Sequence, residues 1–307
     1  MSSFVDLFTY CVHLAKVANT ILRKAVRDDE TKVFVKDAAT ADFVTSVDLH
    51  VETIMVNALK YKFPSVRVIG EESITAVSTP IPSDCDLPVE PLSLPKTLPE
   101  YDLTDLCIWL DPLDGTSYFI KKEYHSVCFL LGISYKNRPI AGIITQPFAD
   151  VDFDVCYGLP GIGMFFDGKQ VEPKFPPLNE LVITVSDSLT QSNVVYKTIS
   201  RLGYAHLVHN HGTGTKFLTV CRGHCHAFVQ ALGRTKRWDT CAGEALVLAI
   251  GGCATDLDGN LINYDPNGSF LNDRGIVALS PVLCEEGRRN EFYERLDVPA
   301  EIPVTYK

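Results

Sequence analysis

No stretch of apolar residues in this chain reaches the ~20 needed to cross a bilayer, so no membrane-spanning helix and no membrane partner are expected. The opening segment "MSSFVDLFTYCVHLAKVANTILRKAV" lacks a basic leader and carries Asp6 early, so it does not read as a secretory signal. Positive charge is also short. Lys and Arg number 28 against 38 Asp and Glu, a net charge of -10, which argues against electrostatic binding of nucleic acid. Internal repeats and low-complexity tracts are missing. So is the clustered cysteine spacing of a small secreted scaffold: the ten cysteines are scattered, and several, such as Cys107, Cys128 and Cys253, lie in apolar sequence. A free thiol there behaves as a small hydrophobe, so a reducing, cytoplasmic setting is expected.

What is present suits a soluble globular protein. The 307 residues are 46% hydrophobic and 21% charged, enough to bury a sizeable core in one large or two moderate domains. Phe4, Leu7, Phe8, Cys11, Leu14, Ala15, Ala18, Ile21 and Leu22 recur at helical spacing and predict an amphipathic helix. The segment from Val35 to Asp48 reads as a polar, mobile loop, followed by a helix from about Asp48 to Lys60 and a short strand at 66–69. Residues 74–105 hold six prolines among Ser, Thr and acidic residues and read as a weakly structured surface insertion. Strands at 126–135 and 138–147 and a hairpin turning at Asp167-Gly168 come next. The stretch 174–180 reads as a linker between domains at 1–178 and 179–307. Beyond it strands alternate with helices near 190–202, 214–222 and 240–250, an α/β rhythm.

Four acidic stretches stand out. In "CIWLDPLDGTSYF", 107–119, an apolar strand ends at Asp111, and Asp114 follows after Pro112 and Leu113. Pro112 suits a sharp turn, so both carboxylates and the Leu113 carbonyl can face one point. Gly115 allows close approach to the backbone, and a helix starting at Thr116 would favour an anion. Hard oxygen ligands beside an anion site suit Mg²⁺, although Asp114 as a simple N-cap explains the pattern equally well. "VRVIGEES", 66–73, offers Glu71 after a strand; "RWDTCAGEALVLAIGG", 237–252, offers Asp239 at a helix start; "DFVTSVDLHVE", 42–52, offers Asp48 after Thr45. Each alone is an ordinary cap. Four together suggest a carboxylate cluster that two or three Mg²⁺ would neutralise, with a phosphate bridging the ions. "CRGHCH", 221–226, lacks the second Cys/His pair of a structural zinc site. "HGTGTKFL", 211–218, lacks Walker A spacing and is either a plain loop or a phosphate or base contact with Lys216.

"GEES", "DPLDGT" and "WDTCAGE", in this order and at these separations, resemble the magnesium-dependent, lithium-sensitive phosphatases that include inositol monophosphatase. The resemblance spans nearly the whole chain. "AGIITQP", "TKRWDTCAGE" and "DLDGNLINY" make it most similar to the 3'(2'),5'-bisphosphate nucleotidases. The resemblance implies an α/β fold, an α+β N-terminal half and an α/β C-terminal half in a layered αβαβα sandwich. It implies Mg²⁺ on Glu71, Asp111, the Leu113 carbonyl, Asp114 and Asp239, with Asp48 and Thr116 activating water. The amides of Gly115 and Thr116 would hold the scissile phosphate, and Gly212 and Lys216 the nucleotide. Such nucleotidases often carry a Ser-His pair after the strand that opens the second half; "ITVSDSLTQS" has no histidine, and Ser186 and Ser188 are the nearest matches. The implied reaction removes the 3'-phosphate of adenosine 3',5'-bisphosphate in a monomeric enzyme that binds a small phosphorylated nucleotide or inositol phosphate. Inositol polyphosphate 1-phosphatase or inositol monophosphatase activity is the alternative, and a non-catalytic phosphonucleotide sensor is the alternative of another class. A haloacid-dehalogenase-type phosphatase would need Asp-x-Asp, and the spacing here is Asp-x-x-Asp.

Overall fold

The first helix begins at a reciprocal cap. The Asp6 amide donates to the Ser3 hydroxyl at 3.1 Å, and the Ser3 amide donates to the Asp6 carboxylate at 2.8 Å, which sets the start of α1, Phe4–Asp28. Its buried stripe includes Phe4, Leu7, Phe8, Cys11, Leu14, Ala15, Ala18 and Leu22, as the period predicts. The computed structural model describes residues 3–29, 31–37, 42–73, 85, 91, 92, 94, 98–186, 189–203, 205–285 and 287–303. Among them no helix is long and apolar enough to cross a membrane.

The segment read as a polar loop is instead a two-stranded antiparallel ribbon, β1 (Val33–Asp37) and β2 (Asp42–Thr45), with Val33 opposite Thr45 and Phe34 opposite Val44. Paired β-branched and aromatic residues favour a ladder here, and the polar residues between them hid it in the sequence. Thr45 then caps α2, Ser46–Lys62.

A seven-stranded sheet follows, built from β3 (Arg67–Gly70), β4 (Leu106–Asp114), β5 (Cys128–Tyr135), β6 (Arg138–Thr145), β7 (Cys156–Leu159), β8 (Gly163–Phe166) and β9 (Lys169–Val171) in sequence order. β3 and β4 run parallel and every other pair is antiparallel. The β8–β9 turn has Asp167 at φ 46° and Gly168 at φ 86°, the left-handed pair of a tight hairpin. A short helix, α3 (Thr116–Ile120), leaves the end of β4.

The second sheet holds β10 (Val182–Ser186), β11 (His206–Asn210), β12 (Ala227–Gln230), β13 (Cys253–Thr255) and β14 (Ile276–Leu279), in the spatial order 11-10-12-14-13. Between these strands lie α4 (Leu189–Ile199), α5 (Thr213–Cys221) and α6 (Arg237–Ala249), and after β14 come α7 (Pro281–Cys284) and α8 (Arg288–Glu294).

Alternation along β4 explains the layering. Ile108 and Leu110 face a core shared with α1 and α2, whereas Cys107 and Trp109 face a second core shared with α5, α6 and the second sheet. The far face of that sheet, through Ile183, Val185, Val229 and Val277, packs on α4 and α8. Helix pair, sheet, helix pair, sheet and helix layer make the αβαβα sandwich. Trp109 is fully buried, and its indole N–H donates to Ser134 Oγ at 2.9 Å, so the ring adds area without an unmet donor.

The proline-rich segment departs from a surface insertion where it is described. Cys85 is buried and its carbonyl accepts the Tyr10 hydroxyl, while Leu92, Leu94, Leu98, Tyr101 and Leu103 pack on the first core. Leucines between the prolines supply the apolar area that seats this segment.

Candidate active site

The two aspartates of β4 share a face because the strand carries one extra residue. Asp111 lies opposite Leu130 and Asp114 opposite Cys128, so three steps on β4 match two on β5, a β-bulge. In a regular strand residues three apart point to opposite faces. Here Leu113 turns into the first core, while Asp114 shares with Asp111 the face of Trp109, Leu130 and Cys128. Pro112 donates no ladder bond, and the Leu113 amide turns back to Asp111 Oδ1 at 2.9 Å.

The other acids arrive from neighbouring elements. Glu71 follows the end of β3, and its amide donates to the Leu110 carbonyl at 3.0 Å, which sets it beside Asp111. Asp239 sits in the first turn of α6 and accepts the Lys236 amide at 2.7 Å. Asp48 does the same for α2: its carboxylate accepts the Thr45 amide at 2.9 Å and the Thr45 hydroxyl. Thr116 presents its hydroxyl to Asp48 Oδ1 at 3.0 Å and to the Leu113 carbonyl at 3.1 Å. Oxygens of Glu71, Asp111 and Asp239 all lie within 4.8 Å of one another.

Asp114 is held differently. Its Oδ1 accepts the Thr213 amide at 3.1 Å and its Oδ2 the Gly214 amide at 2.7 Å, both from the start of α5. It does not cap α3, whose first position is preceded by Gly115 at φ 94°. Each of its oxygens keeps a further lone pair, so amide contact and cation contact are compatible. Gly212 fits because a Cβ there would sit 2.7 Å from the Ser126 carbonyl and 3.0 Å from Asp114.

The electrostatics are those of crowded, buried carboxylates. Burial, then Glu71, Asp114 and Asp239, hold the Asp111 carboxyl well above its ordinary range. Burial also raises Asp114 and Asp239, each further raised by Glu71. Asp48 is pushed up to about 6 by burial, against its bonds to Thr45. A cluster of hard oxygen donors that cannot comfortably ionise fits a divalent cation such as Mg²⁺.

Lys36, which the sequence reading passed over, answers part of this charge. Its Nζ lies 3.0 Å from Glu71 Oε1 and 2.5 Å from Glu72 Oε1. Burial opposes its charge, but Glu71 and Glu72 win and raise its pKa. Glu72, quoted in the motif without a role, is raised to about 7 by burial and donates its amide to Glu52 at 2.9 Å. Only pairing across the unforeseen β1–β2 ribbon could have drawn attention to Lys36.

Lys216 is buried rather than displayed. Its ammonium donates to Ser186 Oγ at 2.7 Å and Gln230 Oε1 at 3.3 Å, and burial lowers its pKa to about 8 against the pull of Asp114. Ser186 is therefore its partner beneath the glycine-rich loop; Ser188 lies outside the described residues. Tyr118 and His211, quoted in their motifs without a role, stack at 4.0 Å between α3 and the loop before α5. The His226 ring of "CRGHCH" is taken up by backbone, accepting the Val182 amide at 3.0 Å and facing the Pro176 carbonyl at 2.8 Å.

Known proteins resemble this chain over most of its length. The sequence profile of the inositol monophosphatase family matches residues 6–294. The chain is 30% identical over 275 residues to 3'(2'),5'-bisphosphate nucleotidase 1 of Rattus norvegicus, covering 86% of this chain and 87% of that one. Among solved structures it is similar to the extragenic suppressor protein suhB of Bartonella henselae, with TM-score 0.69 and 20% identity over 95% of this chain and 98% of that one. It is also similar to an IMPase/NADP phosphatase complexed with Mg²⁺ and phosphate, with TM-score 0.67 and 17% identity over 95% of each chain. This chain belongs to the inositol monophosphatase family.

Proposed function

We propose that the protein is a Mg²⁺-dependent, lithium-sensitive phosphomonoesterase that hydrolyses the 3'-phosphate of adenosine 3',5'-bisphosphate to give AMP and phosphate. The observation that carries the reading is the set of Glu71, Asp111 and Asp239 oxygens within 4.8 Å, set beside the Asp48–Thr116 hydrogen bond. The similarity to the rat nucleotidase supports the nucleotide as substrate.

Glu71, Asp111, Asp239, Asp114 and the Leu113 carbonyl would hold two or three Mg²⁺, which when bound supply the charge that makes water acidic and shields the phosphate. The chain's own groups do the rest. Thr116 has one hydroxyl proton, and giving it to Asp48 Oδ1 leaves the Thr116 oxygen lone pairs to orient an attacking water. Burial raises the Asp48 pKa, so this carboxylate is a stronger base than an exposed one and is suited to accept a proton through Thr116. The Gly115 and Thr116 amides, at the turn after β4, receive the phosphate oxygens. Amides of Thr213 and Gly214 fix Asp114, and Lys216 with Ser186 and Gln230 supports the loop that bears on the nucleotide. No covalent enzyme intermediate is needed.

Hydrolysis of an inositol phosphate is the second reading. It is favoured by the absence of a histidine in "ITVSDSLTQS", where nucleotidases often carry one. Phosphate release from both substrate classes, in Mg²⁺ with and without Li⁺, tests the proposal. Faster release from adenosine 3',5'-bisphosphate supports it, and faster release from inositol phosphates transfers the assignment to the second reading.

A further inference from the structure

Eight of the ten cysteines are buried, and Cys253 and Cys284 are the two that are only half-buried. They are also neighbours, with their Sγ atoms 3.4 Å apart. The fold brings them together through strand register and one turn. Cys253 opens β13 and pairs with Leu279 at the end of β14, and Cys284 closes α7, the turn that Pro281 begins directly after β14. A disulfide has its sulfurs about 2.05 Å apart, so these would close a gap of roughly 1.3 Å. The Cys284 thiol first, and the Arg289 charge after it, hold the Cys253 thiol below its ordinary range despite burial. Thiolate character and solvent access are the two conditions for thiol exchange.

We propose that Cys253 and Cys284 form a thiol–disulfide exchange site that accepts a small disulfide such as oxidised glutathione and closes to an intramolecular bond. The Cys253 thiolate attacks one glutathione sulfur, the glutathione S–S bond breaks, and one glutathione thiolate leaves. Cys284 then loses its proton and attacks the Cys253 sulfur, expelling the second glutathione. Two protein thiols are oxidised to one disulfide, one glutathione disulfide is reduced to two thiols, and the two protons released end on those thiols.

The bond would close the segment 253–284. That segment braces the end of α6 that carries Asp239: the Arg237 amide donates to the Phe270 carbonyl at 2.9 Å, and the Asn272 side chain donates to the Lys236 carbonyl at 2.9 Å. Lys236 also bridges to Leu271. A crosslink there restricts the unfolded chain and holds this brace in place.

The test is to treat the reduced, desalted protein with oxidised glutathione and follow intact mass, peptide map and thermal unfolding. The expected result is loss of two hydrogens, a crosslinked peptide pair containing Cys253 and Cys284, and a Tm raised by at least about 3 °C. Dithiothreitol reverses all three. Cys284→Ser, or Cys284→Ala if the serine variant folds poorly, keeps one glutathione on Cys253 after the same treatment. A chain unchanged by oxidised glutathione, a disulfide between other cysteines, or a Cys284 variant that takes up no glutathione would each overturn the proposal.

Discussion

Asp111 concentrates the cost of the site. Its carboxyl is buried among Glu71, Asp114 and Asp239, and its pKa is raised well above the usual carboxylate value. A raised pKa means the folded state binds the proton more tightly than the unfolded chain. The stability this gives is fully present below the unfolded pKa near 4 and is lost as pH rises through the folded value. Asp48, raised to about 6, and Glu72, raised to about 7, add to the same trend. The metal-free protein should therefore melt at falling temperature as pH rises from about 4 to about 8, and added Mg²⁺ should raise Tm more at about pH 8 than at about pH 5. Melting curves with and without chelator check this; an equal Mg²⁺ shift at both pH values contradicts it. Asp111→Asn keeps the oxygen that accepts the Leu113 amide and removes the charge. Without metal it should melt higher than the parent at about pH 8 and no higher at about pH 4. Asp48→Asn should cut phosphate release by about 10²–10⁴-fold while the protein stays folded, read by phosphate assay beside circular dichroism. The sequence made these acids visible because each borders an apolar strand or opens an apolar helix. It did not reveal Lys36 or the Tyr118–His211 stack, whose meaning depends on partners 35 and 93 residues away (71 − 36 and 211 − 118).

At the scale of elements, the β4 bulge and helix α6 do most to assemble the site. The bulge was half legible: Pro112 announced a turn, but only the pairing with β5 shows the extra residue that puts Asp111 and Asp114 on one face. Helix α6 comes close to the first sheet because β5 and β6 carry glycines beneath it. A Cβ on Gly142 would lie 2.2 Å from the Ala242 carbonyl, and one on Gly132 would lie 2.6 Å from the Cys241 side chain. Gly142→Ala should push α6 away from the sheet, destabilise by about 1–3 kcal/mol, and weaken Mg²⁺ binding because Asp239 rides on that helix. Urea unfolding and calorimetric Mg²⁺ titration measure the two effects; loss of stability with unchanged Mg²⁺ affinity contradicts the link between them. The β1–β2 ribbon was missed because its polar residues break the alternation that marks strands, although Val33, Phe34 and Val35 face their partners as a ladder requires.

For the whole molecule, a buried polar tie crosses the layers. Glu244 of α6 is fully buried, accepts the Tyr264 hydroxyl at 2.8 Å and pairs with Arg138 of β6. Glu244→Ala leaves Arg138 and Tyr264 without that acceptor and should cost about 3–5 kcal/mol in urea unfolding. A loss under about 1 kcal/mol would show that the tie does not hold the layers together. The layered architecture itself was legible, since helical and strand periods and the order of the acidic motifs all agree with it. The packing of Leu92, Leu94 and Leu98 on the first core was not, because proline masks any period in that segment. The decisive assay is phosphate release from adenosine 3',5'-bisphosphate by the metal-loaded and by the chelated protein. Rapid release of one phosphate with AMP as product is expected in Mg²⁺, with none after chelation and inhibition by Li⁺. Binding of the nucleotide without phosphate release in Mg²⁺ would contradict it and mark the protein as a sensor.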